Sequence, residues 1–203
     1  MHTPSRKLIL AQIFLIFILP VSLLFFKILP LNWRIILLTV SALFIYGIIH
    51  HEKWTHLEMG IRHDNFKKSL LPYFIFTVVS FFVLFMIAHK MQIREIDNKM
   101  FLLKTWIFFI PISFFQEFAY RSFLIPRLEK VFNSKYVVII VNALLFTFLH
   151  IIYPSLGIVL PLVFVSGILF AWLYIKYPNL VLISIAHSIL NVTALLLGFF
   201  VIS

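Results

Sequence analysis

Short polar turns divide this chain into apolar runs, most of them close to the length needed to cross a bilayer. The hydrocarbon core is about 30 Å thick, so roughly 20 apolar residues in a helix span it. Inside lipid every backbone N–H and C=O must find a partner within the protein, and a single run achieves this only as a helix. Seven runs are legible: Leu8 to Phe26, Ile35 to Ile49, Ser69 to Ala88, Phe101 to about Leu128, Tyr136 to Ile152, Leu156 to Ile175 and Asn179 to Ile202. The second is short. The chain is 63% hydrophobic and 12% charged, against about half and a quarter in a soluble domain. The expected fold is all-α, a polytopic transmembrane bundle of about seven helices. One domain over residues 1–203 is expected, with bulk helices in 1–100 and the polar residues at membrane depth concentrated in 101–203.

The formal net charge is +10. Lys and Arg flanking spans meet anionic headgroups, so lipid is the expected partner. No aromatic–basic interleaving or base-reading motif points to nucleic acid. With the N-terminus inside, the inner segments carry ten Lys/Arg and the outer segments six, which favours that orientation. Leu8 to Phe26 follows Arg6 and Lys7 but has no small-residue cleavage site, and reads as an uncleaved first helix. Pro20 is expected to kink it, Pro111 to bend the fourth run, and Pro126 to loosen that run's end. Ser166-Gly167 offers a small-residue contact face. The absence of cysteine excludes disulfides and thiolate chemistry. His50, His51, His56 and His63 cluster in the segment His50 to Lys68, but no HExxH-like spacing supports metal there. That segment reads as a solvated loop.

Glu117 is the only acid inside a long apolar run; Glu52, Glu58, Asp64, Glu95, Asp97 and Glu129 fall in polar stretches. A carboxylate at membrane depth is costly unless paired or facing a cavity, and marks a candidate site. Arg121 follows at i+4 on the same helical face. The fifth run adds Asn142 and His150, and the seventh His187 and Asn191. Their spacings put Asn142, Phe146 and His150 on one face, and His187 with Asn191 on another. Such a set supports hydrolysis in two ways. A carboxylate and a histidine can activate water while a second histidine and an amide stabilise the oxyanion. Alternatively His150, His187 and Glu117 can bind zinc, which acidifies a bound water. A third possibility is a hydrogen-bond network that only holds the bundle together.

At these residues the sequence resembles the CAAX-protease and bacteriocin-processing (CPBP, or Abi) family of intramembrane endopeptidases. The family pattern is EExxxR, FxxxH and HxxxN/D on three core-facing helices. The matches are Gln116 to Arg121, Phe146 to His150, and His187 to Asn191. The resemblance covers about the last hundred residues. It implies a protease whose site lies within the membrane, acting on membrane-associated peptides or proteins; the small chain carries no marker of eukaryotic origin, so a bacterial plasma-membrane member is expected. It also implies a glutamate- and histidine-activated water without a cofactor, although the family still carries a metalloprotease label. On this reading Glu117 and His150 activate water, His187 and Asn191 stabilise the oxyanion, and Arg121 orients Glu117. Asn191 suits oxyanion binding better than zinc.

One position departs from the pattern. The first Glu of the pair is Gln116, and a carboxamide cannot serve as a base. Glu117 matches the second Glu and points about 100° further round the helix. Three readings stay open: Glu117 supplies the carboxylate; the chain is a non-catalytic relative that binds a peptide or confers immunity; or the position carries an introduced Glu-to-Gln change. A transporter would need unwound, inverted repeats, and none is visible.

Overall fold

The computed structural model describes residues 4–92, 99–153 and 156–199; the side chains of 99–105 lie outside that description. So do residues 93–98 of the expected polar segment, with Arg94, Glu95 and Asp97, and also Pro154 and the last residues of the expected seventh run. Among the described residues all regular secondary structure is helical, in seven rods joined by turns and one longer loop. We label them α1 (Arg6–Phe25), α2 (Leu31–His51), α3 (Phe66–Lys90), α4 (Lys99–Glu117, continued by Phe118–Phe123 and Leu124–Glu129), α5 (Lys135–Ile152), α6 (Leu156–Lys176) and α7 (Leu180–Leu196). Five of these, α1, α2, α3, α5 and α6, are long and apolar enough to cross a membrane. The protein is a multi-pass membrane bundle. The short second run gains a turn at its start and two residues at its end, so that His50 and His51 close α2 instead of opening the loop.

Two prolines are absorbed by the same device. A π-turn, Phe14–Ile18, precedes Pro20, and another, Phe118–Phe123, precedes Pro126. Proline lacks the N–H for the i−4 carbonyl and its ring crowds that carbonyl; a widened turn relieves both problems. The end of α4 is therefore not loosened at Pro126. The helix runs on to Glu129.

The rods differ in what they bury. On α3 only Ser69, Tyr73 and Ala88 are buried, and Phe74, Phe82 and Met86 face outward, as lipid contact requires. By contrast α7 is buried along most of its length and packs against α4 and α3, while α5 packs against α6. Gly167 allows the α5–α6 approach: a Cβ there would lie 3.2 Å from the Cα of Ala143. The apolar core is continuous from Ile9 on α1 to Leu190 on α7.

The loop between α2 and α3 closes one end of the bundle. Ser122 donates to the Met59 carbonyl (2.5 Å), the Leu180 N–H to the Gly60 carbonyl (2.8 Å), and Asn179 Nδ2 to the Arg62 carbonyl (2.9 Å). Asn179 also caps α7 by accepting from the Leu182 N–H, as an N-cap residue should. Gly60 has φ +74°, and a Cβ there would fall 2.1 Å from the Tyr174 hydroxyl. This loop, which carries His56 and His63, is thus a hydrogen-bonded plug.

Candidate active site

The polar residues of α4, α5 and α7 converge. Glu117 stands on the last α-helical turn before the π-turn of α4 and is fully buried. Its Oε1 accepts from Nδ1 of His187 at 2.7 Å. Its Oε2 lies 3.1 Å from Nε of Arg121, an ion pair rather than an aligned hydrogen bond. Arg121, also fully buried, donates to Asn142 Oδ1, and Asn142 Nδ2 donates to the Tyr120 carbonyl at 2.7 Å. The guanidinium lies over the rings of Phe146 (4.8 Å) and Phe170 (5.7 Å), a cation–π setting that replaces part of its lost hydration. A buried charge survives only with such partners.

His150 lies on the 3₁₀ turn Leu149–Ile152 that ends α5. Its Nδ1 is 2.9 Å from the Phe146 carbonyl. A carbonyl can only accept, so Nδ1 donates and the neutral ring keeps Nε2 as an acceptor. Phe146 is wedged between the two histidines, its ring centroid 5.0 Å from His150 and 5.7 Å from His187. Asn191 Nδ2 donates to Ser113 Oγ at 3.1 Å. Gln116 is buried, and its Oε1 has no hydrogen-bond partner among the described residues.

Two cavities meet at this cluster. One, of about 100 Å³, lies between α2, α4, the end of α5 and α7, and is walled by Gln116, His150 and Asn191. The other, of about 410 Å³ and largely apolar, lies between α3, α5, α6 and α7, and reaches His150, His187 and Asn191. Asn191 and His150 border both. Glu117 borders neither; it sits behind His187.

The sequence-derived residues therefore form one assembly, with one rearrangement. Glu117 was expected beside His150, but its carboxylate takes His187 and Arg121. Gln116, on the adjacent helical direction, shares the cavity with His150. The expected Glu117–Arg121 contact is present. For metal, the donors do not fit a three-ligand site: Glu117 is committed to His187 and Arg121, and among the described residues no three His, Asp or Glu side chains converge.

Sequence reading missed two contributors to the site and one buried charge outside it. Ser113, one turn before Glu117 on α4, holds Asn191; a lone hydroxyl on the motif face was the available signal. Phe170 on α6 carries no signal among so many phenylalanines. Arg127 counted as a loop charge but is fully buried, 2.7 Å from Glu52 and against Trp54 and Phe123.

No curated protein and no solved structure matches the chain significantly. Residues 98–193, just under half of it, match the family model described as type II CAAX prenyl endopeptidase Rce1-like. All the residues above on α4, α5 and α7 fall in that stretch, so the similarity to Rce1-like CAAX prenyl endopeptidases covers the whole polar cluster.

Proposed function

We propose that the protein is an intramembrane endopeptidase that hydrolyses peptide bonds of membrane-associated substrates with a glutamate- and histidine-activated water. The observation that carries this reading is the buried Glu117–His187 contact at 2.7 Å. A carboxylate on Nδ1 fixes the imidazole's orientation and tautomer and stabilises the imidazolium once a proton is taken. Nε2 of His187 is then the base toward water, and Glu117 acts through it. His150 and the Asn191 amide stabilise the oxyanion, His150 when protonated. Arg121 pairs with the carboxylate and holds it in place. The mechanism draws on no metal: Glu117 is held by His187 and Arg121 rather than offered as a third ligand beside the two histidines. The whole chain works as one domain in a bacterial plasma membrane, with its N-terminus in the cytoplasm. The test is cleavage of a membrane-peptide library by the purified protein in lipid discs, read by mass spectrometry, with His187→Ala and His150→Ala alongside. Normal cleavage by both variants refutes the reading.

One observation favours a second reading. Gln116 presents a buried, unpartnered Oε1 at the cavity wall, where the family pattern has a carboxylate. A relative that binds peptide without cutting it, as an immunity protein would, leaves the unaltered protein inactive in the same assay.

A further inference from the structure

The smaller cavity contains one feature that the motif residues do not explain. Its lining includes Arg34, from the first turn of α2, facing the same space as Gln116, His150 and Asn191. Among the described residues Arg34 is the only Lys or Arg bordering either cavity, and no acidic side chain borders them. It is half-buried, and no ion pair or hydrogen bond from its side chain occurs among the described residues. The acids that could neutralise it are elsewhere. Glu117 is committed to His187 and Arg121. Glu52 is tied to Arg127, Glu58 to Thr55, and Asp64 to Arg62, at the far end of α2 or in the loop beyond, and Glu129 is the last helical residue of α4, on neither cavity. Glu95 and Asp97 lie outside the described residues.

A guanidinium in a mostly apolar recess is a receptor for a planar anion, which its fork meets with two parallel hydrogen bonds. The recess is small. At about 30 Å³ per water, its roughly 100 Å³ hold only a few non-hydrogen atoms. An anion held by Arg34 is therefore close to the group held by His150 and Asn191. At about 3.3–3.6 Å of extended chain per residue, the two lie within some three residues of each other on a peptide.

We infer that Arg34 is a specificity-determining residue that binds a carboxylate of the substrate within about three residues of the scissile bond. The inference rests on the protease reading for the meaning of "scissile", but the anion site stands on α2, outside the matched stretch 98–193. Two sources supply the same chemistry: the C-terminal α-carboxylate or an Asp/Glu side chain. Arg34 supplies no proton and touches no reacting atom. It selects and positions.

The experiment uses the full chain in phosphatidylcholine discs and three dansyl-labelled S-farnesyl hexapeptides. One has a free C-terminus, one is its C-terminal amide, and one is the amide with Asp among the last three residues. The free acid, the Asp-amide or both should bind about tenfold or more tighter than the plain amide, the scale of a charge-assisted hydrogen bond. Arg34→Gln should abolish that preference while leaving amide binding unchanged, and Arg34→Lys should restore part of it. A preference for the free acid alone assigns the α-carboxylate; a preference for the Asp-amide assigns the side chain. Equal binding of all three probes, no binding of any, or a preference that survives Arg34→Gln overturns the inference. So does an Arg34→Gln variant that keeps the preference but loses stability in phosphatidylglycerol discs, because Arg34 then serves a headgroup phosphate. Cleavage of the same probes is scored separately. Charge preference without cleavage sinks the protease reading and leaves Arg34's role intact; cleavage without charge preference does the reverse.

Discussion

Arg121 and Arg127 lie on the same helix, both fully buried, each beside a glutamate and each against two aromatic rings. Only one belongs to a candidate site. Arg127 Nη2 donates to Glu52 Oε2, which also accepts from Trp54 Nε1 at 2.9 Å. That chain of contacts ends in the closing loop, where Glu52 still reaches water. Arg121 is linked to Glu117, and Glu117 to His187, whose ring borders a cavity shared with His150 and Asn191. A buried ion pair is thus no mark of function by itself. What distinguishes the first pair is that its carboxylate is relayed to a group with a free nitrogen at an accessible space.

The largest expected difference between the two pairs is in activity. Glu117→Gln should lower cleavage by about 10³-fold, within the range for losing a positioned acid–base group, while Glu52→Gln should stay within a few-fold. Comparable loss in both variants would erase the distinction. Next is stability. Arg121→Met leaves Glu117 buried without its cation and should cost about 3–5 kcal/mol. Arg127→Met leaves Glu52 partly hydrated and should cost about 1–2 kcal/mol less than that. Thermal unfolding in detergent ranks the two. Gln116→Glu should raise cleavage about tenfold or more if the carboxylate of the family pattern assists the base, and should leave Arg127-dependent stability untouched. Unchanged cleavage would place the whole proton transfer on His187. The smallest effect lies in the closing loop. Glu58 accepts from the Thr55 N–H at 2.6 Å and from its hydroxyl at 2.9 Å, and these bonds hold its carboxyl below its ordinary 4.5. The folded loop therefore binds this proton less readily than the unfolded chain. Its contribution is complete above about pH 4.5 and is lost as pH falls through the lower folded value. Glu58→Gln should flatten that dependence of loop hydrogen exchange and change cleavage little.

Much of this was legible from residue order. The apolar runs announced helices because lipid leaves the backbone no other solution, and structure changed them only at their ends, as with α2. Glu117, Arg121, His150, His187 and Asn191 stood out because each is expensive in hydrocarbon. The fate of Arg127 was not legible. Its neighbours in sequence read as a polar turn, and its burial depends on Glu52 and Trp54 folding back from a distant loop. Nor was it legible that the helix would run on intact past Pro126, since the compensating π-turn lies upstream of it.

The pairing of Glu117 marks the boundary. Sequence alone determined that a carboxylate, a cation, two histidines and an amide would share the bundle interior, because the cost of isolating any of them in lipid exceeds the constraint of bringing them together. It also determined that Gln116 could not be a base. Helical spacing sorts residues onto faces of their own helix and says nothing about which neighbouring helix each face meets. Only tertiary packing, with α7 seated against α4 and Phe146 wedged between the histidines, decided that Glu117 would hold His187 while Gln116 and Arg34 faced the cavity with His150.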